Sequence, residues 1–131
     1  MNIVIFDTTK DMYKFLKDTG GLEILELFRN TPQKSIPPDN IGYVVLGDNS
    51  EILGAASLYE EETNVWFNEI FEIVKEHRGK GIGRYLYEFI KNDLLPEKIH
   101  GFCTTSQNKS FWEHLGQKCI NQETNEMLEI L

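Results

Sequence analysis

Three glycines in five residues, Gly79, Gly81 and Gly83, separate a β-rich run from a helical one. Glycines this close together cost conformational entropy, and they let the backbone approach another group where a Cβ would clash. The apolar positions that follow, Ile82, Leu86, Phe89 and Ile90, have the i, i+4, i+7, i+8 spacing of one helix face, so the turn opens straight into a helix. The first amides of such a helix have no internal partner, and its dipole favours negative charge there. The segment therefore reads as an anion cradle built from backbone. Charge agrees. Residues 75–84 hold four of the 13 basic side chains, Lys75, Arg78, Lys80 and Arg84, but only one of the 21 acidic ones, Glu76, in a chain of net charge −8. The spacing is neither the G-x-G-x-x-G of a dinucleotide site nor a Walker loop, which needs four residues before its Gly-Lys pair and then Ser or Thr.

The rest of the chain supplies the frame. Residues 3–6 read as a strand. Thr8 or Thr9 caps a helix with Met12, Phe15 and Leu16 at helical spacing, and Gly20 and Gly21 close it. Residues 22–29 repeat the pattern with Ile24, Leu25 and Phe28 on one face, and residues 30–40 form a loop holding three of the four prolines. Three strands follow, 41–46, 52–59 and 65–74, joined by short polar turns as an antiparallel meander. After the glycine loop and its helix, stopped before Pro96, come a strand over 98–104, a helix from Ser106 to Leu115 closed by Gly116, and two short strands around residues 122–125. The order predicts an α+β fold with a mixed, mostly antiparallel sheet and helices on both faces, in one domain spanning 1–131.

Composition narrows the function. An acidic chain is a poor partner for nucleic acid or anionic membrane. No apolar run is long enough to span a bilayer. The N-terminal residues do not read as a signal peptide, so a cytoplasmic protein is expected. Cys103 and Cys119 show no disulfide framework, and His100, Cys103, His114 and Cys119 match no metal-ligand spacing, so no metal is expected.

Arg78-Gly79-Lys80-Gly81-Ile82-Gly83 resembles the cofactor motif Arg/Gln-x-x-Gly-x-Gly/Ala of the GNAT superfamily of N-acetyltransferases, which opens a helix after the fourth strand. The segment 110–116, Ser-Phe-Trp-Glu-His-Leu-Gly, is similar to that family's late aromatic-x-x-Leu-Gly helix end. The resemblance implies acetyl transfer from acetyl-CoA to a primary amine on a small molecule or peptide, by direct attack in a ternary complex. It also implies that the amides from Gly79 to Arg84 hold the pyrophosphate of coenzyme A. The strand before the loop, with Phe71 and Ile73, would pair with the pantetheine arm, and Asn108 and Trp112 on the late helix would contact the cofactor. The acyl group would sit where the strands 65–74 and 98–104 splay apart. The protein would act as a monomer or homodimer.

Deprotonating the amine calls for a base with a pKa near the working pH. A carboxylate in an apolar strand has its pKa raised by desolvation. Glu69 is the candidate, at a position where many family members carry an acid, and Glu72 is second, facing the other way by strand alternation. The tyrosine that often protonates the leaving thiolate in this family is replaced by Trp112, whose indole is no acid at neutral pH. Either no general acid is used, or another group such as Tyr85, Tyr87 or Cys103 replaces it. The usual Phe after the late glycine is replaced by Gln117. These two departures favour, as alternative, a non-catalytic acyl-CoA-binding or regulatory module; a nucleotide- or phosphate-binding protein is a third class.

Overall fold

The meander read from the sequence forms the middle of a seven-stranded sheet. The computed structural model describes residues 1–37, 39–103 and 106–131, with the backbone alone for Ser106 and Gln107. In chain order the elements are β1 (Asn2–Phe6), α1 (Thr9–Asp18), α2 (Gly21–Ile24), α3 (Glu26–Asn30), β2 (Ile41–Leu46), β3 (Ile52–Glu62), β4 (Val65–Ile73), α4 (Ile82–Leu94), β5 (Lys98–Phe102), α5 (Ser106–His114), β6 (Lys118–Asn121) and β7 (Glu126–Ile130). The sheet order is β1-β2-β3-β4-β5-β7-β6. Every neighbouring pair is antiparallel except β4 and β5. The expected α+β class, with its mixed and mostly antiparallel sheet, is what the chain forms. The last residue of the expected strand 98–104, and the Ser106 side chain read as a cap, lie outside the described residues.

Strand alternation divides the core between the two faces. Tyr43, Val45, Ala56, Leu58, Trp66, Ile99 and Met127 meet α4 and α5 on one face, through Ile82, Leu86, Tyr87, Ile90, Trp112 and Leu115. Val44, Ala55 and Ile70 meet α1 and the segment after it on the other, through Met12, Leu16, Leu25 and Phe28. Central strands buried on both faces explain why 42–45 and 52–58 are nearly continuous apolar runs. Thr8 caps α1 by accepting from the Asp11 amide at 3.2 Å.

One expectation is corrected. Residues 22–29 do not form a single helix with Ile24, Leu25 and Phe28 on one face. The helix breaks at Leu25 (φ −100°, ψ 84°), which is buried, while Ile24 is exposed. The cause is tertiary. The amides of Leu27 and Phe28, which would bond to carbonyls four residues back, donate instead to Glu72 Oε1 on β4, at 3.0 and 3.2 Å. A carboxylate accepting two amides at a helix start is a strong cap, and it restarts the helix as α3.

A buried polar knot ties the start of α1 to the sheet. Thr9 Oγ1 donates to the Asn40 carbonyl at 3.2 Å and lies 3.0 Å from Ser57 Oγ, which accepts from Asn40 Nδ2 at 3.1 Å. Thr9, Asn40 and Ser57 are all buried. Ser57→Ala is expected to destabilise the protein by about 1–3 kcal/mol in chemical denaturation, because it strips buried groups of a partner. A loss under about 0.5 kcal/mol, the range of an inert surface change, would show that the knot holds nothing.

Candidate active site

The glycine loop adopts the shape its residues suggest. Gly79 and Gly81 have φ of 79° and 83°, the left-handed region that disfavours side chains, and a Cβ at either would meet open space. The turn, not crowding, requires these two glycines. Gly83 differs: it lies inside α4, and a Cβ there would come 2.7 Å from the Phe111 ring of α5. The third glycine therefore lets α5 pack against the start of α4. The first intrahelical bond of α4 runs from the Tyr85 amide to the Gly81 carbonyl at 3.0 Å, so the amides of Ile82, Gly83 and Arg84 precede the ladder. Arg78 Nε donates to the Ile73 carbonyl at 2.9 Å and Arg84 Nη2 to the His114 carbonyl at 3.1 Å. These two side chains brace the loop against β4 and α5 and keep their charge beside it.

The loop forms one end of a cleft of about 900 Å³. Its walls hold Phe71, Ile73, Arg78, Gly79, Gly81, Ile82, Gly83, Arg84, Asn108 and Trp112, all named from the sequence. Lys80 is exposed and is not among the lining residues. Leu27, Glu72, His77, Phe111, His114 and Leu115 complete the wall. Phe111 had no signal beyond its place in the aromatic-x-x-Leu-Gly stretch. Leu27 could not be read at all, because the cap that aims α3 comes from a distant strand. Trp112 is buried, edge-on to Phe71 at 4.8 Å and to Phe111 at 5.0 Å.

At the far end of the cleft the sheet opens. β4 and β5 pair only at Val65–Lys98, Trp66–Ile99 and Phe67–His100. A Cβ on Gly101 would lie 3.1 Å from the Asn68 carbonyl, so glycine permits one last close approach. Beyond it no described strand pairs with the β5-facing edge of β4, and at Ile73 the carbonyl accepts from Arg78. Glu69 sits at this parting, as the extra residue of a β-bulge: Asn68 pairs with Leu58 and Ile70 with Ser57. Simple alternation could not place it. Burial pushes the Glu69 carboxyl up from its ordinary value, and its charge is felt at Tyr59, on the sheet face away from α4. Glu69 is not in the cleft wall; Glu72 is, but its carboxylate is held by the α3 amides.

The residues available as proton donors are engaged elsewhere. Tyr85 donates to the Met1 carbonyl at 3.3 Å. Tyr87, buried edge-on against Trp112, donates to Glu129 Oε1 at 2.6 Å, and burial and that carboxylate raise its pKa. Burial likewise pushes the Cys103 thiol up. None of the three lines the cleft. Gln117, where the family has Phe, is buried and donates to the Tyr87 hydroxyl at 3.1 Å, so it completes a polar contact that a phenyl could not.

Comparison with known proteins bears on the fold and the family. Residues 39–117 match the family model for the acetyltransferase (GNAT) domain. GCN5 of Tetrahymena superposes with a TM-score of 0.74 at 13% identity, over 99% of this chain and 96% of that one. A GNAT-family acetyltransferase from Staphylococcus aureus gives 0.67 at 11% identity, over 99% of both chains. A protein described as a streptothricin acetyltransferase from Bacillus anthracis, solved with acetyl coenzyme A, gives 0.60 at 18% identity, over 72% of this chain and 64% of that one. No curated protein matches the sequence. Likeness at these identities is one of fold.

Glu72 lies in the wall and also caps α3, and the two uses separate by substitution. Glu72→Ala is expected to cost about 1–3 kcal/mol, with faster hydrogen exchange at Leu27 and Phe28, while Glu72→Gln keeps an acceptor oxygen and loses less. Native stability and exchange in the alanine variant would rule the cap out.

Proposed function

The chain belongs to the GNAT acetyltransferase family, and on that footing we propose that all of it forms one domain that transfers an acetyl group from acetyl-CoA to a primary amine. The observation that carries this reading is the cleft itself, with an amide cradle at one end and an opened sheet at the other. The amides of Ile82, Gly83 and Arg84 would hold the pyrophosphate, with Arg78, Lys80 and Arg84 adding charge. The unpaired edge of β4 would receive the pantetheine arm alongside Ile73 and Phe71, as a strand receives a partner. Asn108 and Trp112 would close the wall from α5. Acetyl-CoA, when bound, supplies an acyl carbon activated as a thioester.

The chain's own groups would do the rest. A free N–H on the unpaired edge of β4 can stabilise the oxygen on which charge develops. Glu69, at the parting, would take a proton from the acceptor's ammonium and so free the amine to attack, with its pKa raised toward the range a base needs. The transfer would form a C–N bond and break the C–S bond, with the electron pair of the latter released on the coenzyme A sulfur as a thiolate. Among the described residues no phenol or thiol lines the cleft to protonate it. That feature favours a second reading, a non-catalytic acyl-CoA-binding module.

Thermal unfolding with acetyl-CoA, CoA, ATP and NAD tests the cofactor. At 100 times its dissociation constant a ligand adds about 2.7 kcal/mol. Stabilisation by acetyl-CoA and CoA alone is expected; a response to ATP or NAD as large would remove the reading. Glu69→Gln is expected to lower kcat/KM by about 10²–10⁴ with CoA affinity unchanged. A base works ionised, so native kcat/KM should rise with pH through a pKa above the ordinary carboxylate range and then level off. The variant should lack that limb. An unchanged profile in the variant would take Glu69 out of the role, and CoA binding without turnover of any amine would leave the binding module.

A further inference from the structure

On the sheet face away from α4, helices cover one half only. α1 packs on β1 and β2, and α3 on β4. Ile99 and Met127 point into the core shared with α4, so alternation turns Lys98, His100, Phe102, Glu126 and Ile130 to the other side. No described helix packs there, and Phe102 is 52% exposed and Ile130 71%.

Beside the β4–β5 parting this bare face has an aromatic floor with a carboxylate rim. Phe67 lies at its centre, with ring centroids 5.2 Å from Tyr59, 5.1 Å from His100 and 5.9 Å from Phe102. His100 stands between two acids, its Nε2 against Glu61 Oε1 and its Nδ1 3.2 Å from Glu126 Oε2. Glu69 is the third acid, on the bulge one rung along. A single imidazole can offset at most one of three carboxylates, so the rim keeps a net negative charge. Lys98 lies at the far end of the face, at the β4–β5 rung most distant from the parting, and Lys118 lies on the edge strand, paired with Leu128.

We propose, resting on the acetyl-transfer reading above, that the acceptor is a small diamine or polyamine, whose second ammonium lies over Phe67 and Phe102 beside the Glu61–His100–Glu126 cluster, drawn by the negative charge that the imidazole leaves unbalanced, while its first reaches Glu69. Cations are attracted to aromatic faces and to carboxylates together. Two residues along a strand span about 7 Å, so the rung of Phe67 and His100 is one diamine length from the parting. An acceptor with its own carboxylate would meet three like charges, and a neutral arylamine would use the floor but leave the rim without a partner.

The test compares diaminobutane with butylamine, in binding to the protein with and without CoA and in acetyl transfer. Diaminobutane is expected to bind about tenfold more tightly. The Glu61→Gln, Glu126→Gln double variant is expected to lose that ratio with CoA affinity unchanged, and Phe102→Ala to reduce it. Equal binding of the two amines, or a ratio that survives the double variant, overturns the proposal. The preference is read by binding alone. If it is present without transfer to either amine, the diamine site stands as a binding site and the enzyme reading falls; if the two amines bind and are acetylated equally well, the enzyme reading stands and the diamine assignment falls.

Discussion

The architecture turns on how little of β4 and β5 is paired. Three parallel rungs hold the two halves of the sheet together, and after Gly101 the strands part. A longer pairing would cover the β5-facing edge of β4 that no described strand pairs with. A shorter one would cut β5, β7 and β6 from the rest. The parting also passes through the sheet. The basic loop opens α4 on one side of the sheet, and the carboxylates of Glu61 and Glu126 stand around His100 on the other.

Much of this was legible because local chemistry and tertiary use coincide. The loop at Gly79–Gly83 needs left-handed turns and a helix start, and both leave marks in the sequence. The helical spacing of Ile82, Leu86 and Ile90 survives as the buried face of α4, although Tyr87, buried beside it, carries a hydroxyl that hides its role. The two-faced burial of β2 and β3 likewise shows as unbroken apolar runs.

What was not legible has a common cause, which is action at a distance. A period-two reading passes straight through Glu69 because a bulge is a relation between two strands. The break at Leu25 is invisible for the same reason. Leu22 to Arg29 is an adequate helix until Glu72, from another strand, claims two of its amides. Gln117 departs from the late motif, and its reason, the Tyr87 hydroxyl to which it donates, lies 30 residues away on α4.

The grip of Glu72 on α3 has a consequence for how such a protein can diversify. The carboxylate holds main-chain N–H groups, which every residue but proline provides. Side chains at exposed positions such as Ile24 and Leu27 are not part of the attachment. The exposed positions of the segment beside the cleft can therefore change while Leu25 and Phe28 stay in the core and the anchorage to β4 persists, so that new side chains face the cleft from an unchanged support.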